Sequence, residues 1–205
     1  MIFWAAFTKL ADTNFTMPLA ALLAVWLLSA RAWKPFFLWS FLFGSGIFLV
    51  VATKVAYVGW GIGIASVDFK GFSGHAMRAA TLAPPLAYFL TQGQTFRVRQ
   101  IGVLIGVAFA IAICISRLAL GVHSVSEAIS GLLLGLVISF SFILLCNPKP
   151  VITSNPRLLA IGLIALLPVL TVKPAPTSDW IERTAIHLAG EEHADEIRVR
   201  AGTHH

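Results

Sequence analysis

The chain has 205 residues, 58% of them hydrophobic and only 12% charged, which is about half the charge of an ordinary globular domain. Its mean hydropathy is +0.84, and its two cysteines, Cys114 and Cys146, lie inside apolar runs where they offer neither a disulfide framework nor a metal-ligand spacing. This excludes a disulfide-stapled secreted domain, a disordered tail and a soluble dinucleotide-binding enzyme, and it marks an integral membrane protein. The net charge of +6 is unevenly spread: residues 173–205 hold four Lys/Arg and six Asp/Glu, which leaves eleven basic residues against Asp12, Asp68 and Glu127 in residues 1–172. Basic residues scattered among apolar spans suit contact with anionic headgroups. They form no stripe that would bind nucleic acid.

In chain order, residues 1–14 (MIFWAAFTKLADTN) read as an interfacial segment; with no basic region before the apolar stretch, they are not expected to be a signal peptide. A crossing needs about 20 apolar residues. Spans are expected at 15–30, closed by Arg31, Trp33 and Lys34, and at 36–53, closed by Lys54. The Gly-rich stretch 54–72, broken by Asp68 and Lys70, reads as a loop. Further spans follow at 73–91, with Pro84–Pro85 inside, and at 101–116, 128–146 and 158–172. Residues 15–172 thus predict an all-α polytopic bundle of about six transmembrane helices. Residues 173–205 form a polar tail with a possible amphipathic helix, Ser178 as its N-cap. Connectors 31–35, 92–100 and 147–157 carry Arg31, Lys34, Arg97, Arg99, Lys149 and Arg157 on one side. The positive-inside rule makes that side cytoplasmic, so loops 54–72 and 117–127 are expected to face outward, in a bacterial inner membrane towards the periplasm.

Only two histidines, His75 and His123, occur in residues 1–172, and both fall at the outer ends of spans. Ionisable groups at membrane depth are functional candidates by default. His123 and Glu127 are i and i+4 and share a helix face, so the carboxylate can fix the imidazole tautomer and leave the other nitrogen free as nucleophile or base. Ser73-Gly74-His75 opens a helix and sets a hydroxyl, backbone N–H groups and a positive dipole end around one point, a ready anion site. The Arg117 guanidinium suits bidentate contact with phosphate, and Lys54 can add a point charge. Two imidazoles, an orienting acid and several cations describe phosphoryl transfer.

These residues resemble the motifs of the type-2 phosphatidic acid phosphatase superfamily. Ser116-Arg117, five residues, His123, three residues and Glu127 match its third motif, SR-x5-H-x3-D, with Glu for Asp. Phe72-Ser73-Gly74-His75 matches the second, PSGH. For the first, K-x6-RP, Lys54 is in place, while Gly61 and Ile62 stand where Arg-Pro falls. The resemblance covers roughly residues 15–146. It implies that His123 attacks phosphorus to form a phospho-histidine, that Glu127 orients it, and that His75 protonates the leaving group. Lys54, Ser73, Gly74 and Arg117 would hold the phosphoryl oxygens, with no metal or other cofactor. Arg78, one turn after His75, or Lys70 is expected to replace the missing first-motif arginine. The implied partner is a lipid phosphate in the bilayer. Hydrolysis, transfer of the phosphoryl group to a second lipid, and non-catalytic binding by a degenerate relative are the three readings open at this point.

Overall fold

The computed structural model describes residues 1–146 and 156–202, apart from the side chains of Ile2 and Pro156. Residues 147–155 of the expected basic connector, with Lys149, and His204 and His205 lie outside the described residues. The chain is helical: α1 (Ile2–Thr8), a 3₁₀ turn (Lys9–Ala11), α2 (Thr13–Ser29), α3 (Trp33–Trp60), α4 (Gly74–Leu90), α5 (Phe96–Ala119) and α6 (Val125–Leu145) are followed by α7 (Pro156–Ala165), a 3₁₀ segment (Leu167–Thr171), α8 (Thr177–Ala189) and α9 (Ala194–Gly202). Among the described residues, β pairing is limited to one bridge, Ile64 with Phe69.

Four helical runs are long and apolar enough to cross a membrane: Phe3–Ser29, Trp33–Trp60, Phe96–Ala119 and Val125–Leu145. Two of the expected six spans fall short, α4 at 17 residues and the apolar run Arg157–Thr171. The reason is visible for α4, which packs on α5, α6, α2 and α3 and buries most of its length, Arg78 and Pro84–Pro85 included. A helix wrapped in protein need not be compatible with lipid on any face. Polar residues are therefore tolerated there at membrane depth.

Local sequence explains the helix starts near the site. Ser124 caps α6 by accepting from the Glu127 N–H, while the Glu127 carboxylate accepts from the Ser124 N–H, a complete capping box. The stretch 54–72 is not all loop, because α3 continues through Lys54 to Trp60. Val55 and Val58 on that extension are buried under Ala185, Ile197 and Ala201 of the tail. Burial by a distant segment keeps these turns helical. The start of the 1–14 segment packs on α5, with the Phe7 ring 5.7 Å from that of Phe109, and Ala11 is fully buried. In the tail the N-cap of α8 is Pro176, so Ser178 lies inside the helix. Ala185 is buried on the inner face, while Trp180 and Leu188 stay exposed.

Candidate active site

The corner between α5 and α6 sets the first histidine. Gly121 turns the chain with φ +67°, a left-handed conformation natural to glycine, and His123 follows just before the cap of α6. Its Nδ1–H donates to Glu127 Oε2 at 2.8 Å, with both side chains buried at 8% and 4% exposure. Glu127 also accepts from the Ser124 N–H at 3.3 Å and, through Oε1, from the Lys70 N–H at 3.0 Å. Glutamate in place of the motif's aspartate thus reaches the imidazole and closes the capping box together. Burial holds the His123 imidazole below its ordinary pKa against the pull of Glu127, with Lys54 acting in the same direction as burial.

The second histidine opens α4. The Ser73 N–H donates to the Glu127 carbonyl at 3.0 Å, seating the Ser73-Gly74-His75 turn on α6. The contact needs Gly131, where a Cβ would stand 2.6 Å from the Ser73 carbonyl oxygen. Among the described residues, the Ser73 Oγ is buried without a hydrogen-bond partner, as are Arg78 Nε and Arg117 Nε. Desolvated donors in that state suit an anion.

The expected site residues separate into three groups. Lys54, Gly74, His75, Arg78, Arg117 and His123 line one cavity of about 510 Å3. Ser73 and Glu127 stand behind that lining. The Lys70 side chain does not line it: Nζ pairs with Asp68 at 3.1 Å, which holds the ammonium above its ordinary pKa. Lys70 serves the site through its backbone N–H on Glu127. The spacing of the two lysines gave no sign of this difference.

Other residues at the site were not singled out by the motifs. Asp12 Oδ1 lies 2.7 Å from His75 Nε2, Arg117 Nη1 donates to Thr8 Oγ1 at 3.1 Å, and Arg78 Nη2 donates to the Ala11 carbonyl at 3.2 Å. Met17, Ile47, Val50 and Val51 give the cavity an apolar side between α2 and α3, and Thr177, Ser178, Trp180, Ile181 and Thr184 of α8 form a wall. The rarity of acids in residues 1–172 was the one signal for Asp12. Among the described residues, no group of His, Cys, Asp and Glu could hold a metal ion.

One cavity of the helical bundle is thus lined by two imidazoles, two guanidinium groups and the Lys54 ammonium, with the Glu127 carboxylate behind it. Residues 62–149 match the PAP2 superfamily. An uncharacterized 22.5 kDa protein in the cps region of Klebsiella pneumoniae is 35% identical over 152 residues, covering 72% of this chain and 71% of that protein. Phosphatidylglycerophosphatase B of Bacillus subtilis (strain 168) is 37% identical over 75 residues, 36% of this chain and 37% of that protein. No solved structure matches. The chain belongs to the PAP2 superfamily, a family of phosphatases, and is an integral membrane protein.

Proposed function

We propose that the protein hydrolyses the phosphate or pyrophosphate of a membrane lipid through a phospho-histidine on His123. The observation that carries this reading is the commitment of His123 Nδ1 to Glu127 at 2.8 Å while the ring lines a cavity shared with Lys54, Arg78, Arg117 and His75. The Nε2 lone pair attacks phosphorus, the bond to the leaving oxygen breaks, and His75 gives that oxygen a proton. Water then attacks the phosphoryl group with His75 taking its proton, the N–P bond breaks, and inorganic phosphate leaves. Lys54, Arg78 and Arg117 hold the non-bridging oxygens where charge develops. Arg78 takes the place of the arginine absent at position 61 of the first motif.

The apolar side formed by Met17, Ile47, Val50 and Val51 supports a substrate with hydrocarbon chains, and the named relative acts as a phosphatidylglycerophosphatase. Polyprenyl pyrophosphate, phosphatidylglycerol phosphate, phosphatidic acid and lipid A phosphate all fit this description. The chain is read as six passes, α4 and the run Arg157–Thr171 completing the four longer spans. Support comes from the bond of Asn14 Nδ2 to the Lys173 carbonyl at 2.6 Å, which brings the end of the sixth pass to the start of α2. With Arg31, Lys34, Arg97 and Arg99 at the opposite end, the site faces the periplasm of a bacterial inner membrane.

The test is phosphate release by detergent-purified protein from those lipid phosphates, with His123→Ala alongside. Release that falls to background in the variant is expected. Absence of release from every substrate by folded wild-type protein would overturn the reading.

A further inference from the structure

Asp12 occupies the N-cap of α2, where an aspartate ordinarily accepts from backbone N–H groups of the first turn, yet its side chain makes no capping bond. Its Oδ1 instead meets His75 Nε2 at 2.7 Å across 63 residues of sequence. The turn that carries Asp12 is fastened to the site on both sides, by Arg78 to the Ala11 carbonyl and by Arg117 to Thr8 Oγ1. Each histidine of the cavity thus has its own carboxylate, Glu127 on His123 Nδ1 and Asp12 on His75 Nε2, and the turn that carries Asp12 is held by two arginines of the same site.

We propose that Asp12 is the positioning residue of the general acid: it accepts from His75 Nε2–H and thereby fixes the ring so that Nδ1 carries the transferable proton. The assignment rests on the phospho-histidine reading above. In the first half-reaction the His75 imidazolium gives its Nδ1 proton to the leaving oxygen as that oxygen departs from phosphorus and the His123 Nε2–P bond forms. His75 remains neutral with its other proton on Nε2, still bonded to Asp12. In the second, Nδ1 takes a proton from the attacking water as the O–P bond forms and the N–P bond breaks, which restores the imidazolium. Asp12 exchanges no proton in either step and touches no reacting atom.

The charged groups acting on His75 are Asp12 from the turn before α2, Arg78 from its own helix and Arg117 from α5, while Lys54 and His123 line the same cavity. The Asp12 carboxylate is the one anion among these groups. The need for an acid at this position arises from the cations that hold the phosphate.

Asparagine has the shape of aspartate and the Asp12 side chain makes no capping bond to lose, so Asp12→Asn separates catalysis from folding, with thermal unfolding as the check. On dioctanoyl phosphatidic acid the variant is expected to lose about 10- to 100-fold in kcat with KM little changed. The basic limb of its pH profile moves to lower pH, because the anion favouring the His75 imidazolium is gone. On nitrophenyl phosphate, whose leaving group needs no proton, the loss is expected to be much smaller, and Asp12→Glu recovers part of the lipid activity. Equal losses on both substrates with an unmoved pH profile, or full activity of Asp12→Asn beside an inactive His123→Ala, would overturn the assignment and leave the phosphatase reading standing. A wild-type protein that releases no phosphate from any substrate removes that reading, and this assignment with it.

Discussion

The floor of the cavity and its wall differ in how far the chain travels to make them. On the floor, His123 and Glu127 are four residues apart and bonded at 2.8 Å, and Arg117 lies one turn before the same corner. The wall comes from two distant parts of the chain, Thr13 and Met17 on one side and Thr177 to Thr184 on the other. It is held by contacts such as Asn14 to Lys173 and Arg200 to the carbonyls of Val58 and Gly59. The difference teaches that the reactive groups are specified by short spacing, whereas the space around them depends on tertiary structure. On the proposed reading the floor sets the rate and the tail wall sets what fits.

The comparison is broken most forcefully at Glu127. Glu127→Gln preserves the capping box, which accepts either residue, but removes the charge that orients His123. By analogy with the loss of the aspartate in a Ser-His-Asp triad, kcat is expected to fall about 10²- to 10⁴-fold, with a smaller loss in thermal unfolding because the amide NH2 cannot accept from the Lys70 N–H. The pH profile adds a sign. Burial keeps His123 below its ordinary pKa, so the acid limb of kcat/KM lies below about pH 6.5 in the wild type. Glu127 favours the protonated ring, so the Gln variant moves that limb further towards acid. A limb that moved upward would show that the carboxylate does not act on His123.

An intermediate effect is expected at Gly131, where the floor is joined. Gly131→Ala places a Cβ against the Ser73 carbonyl, and overpacking of this kind costs about 1–3 kcal/mol. Thermal unfolding in detergent should show the loss, with reduced activity because the Ser73-Gly74-His75 turn is displaced. The smallest effect belongs to the wall. Trp180, half exposed at the cavity edge, contributes about 1 kcal/mol of apolar contact, so Trp180→Ala should raise KM about fivefold for a lipid substrate and leave kcat near wild type. A kcat loss as large as that of Glu127→Gln would erase the distinction between floor and wall.

What the sequence made legible follows the same division. The His123–Glu127 pair was readable because helical periodicity places residues four apart on one face, and the Ser73-Gly74-His75 turn and Arg117 because their residue types suit an anion and fit the motif spacing. The long apolar runs of α2, α3, α5 and α6 were equally plain. Asp12 was not connected to His75, since nothing local couples residues 63 apart. Lys54 was read at the edge of a loop because Gly61 and the polar residues beyond it dominate that stretch, and the burial of Val55 and Val58 by α8 and α9 is a tertiary fact. Lys70 was expected to offer its ammonium and offers its amide instead. Sequence pattern does not say which end of a residue does the work.

Placing the wall at both ends of the chain has a consequence for the order of synthesis. A chain made from its N-terminus has Asp12, Lys54, His75, Arg117 and His123 in hand well before Thr177 to Thr184 exist. The groups that would handle phosphate are therefore complete while one side of their chamber still stands open. Only once Thr177 to Thr184 have been made does α8 arrive and the aperture take its final dimensions.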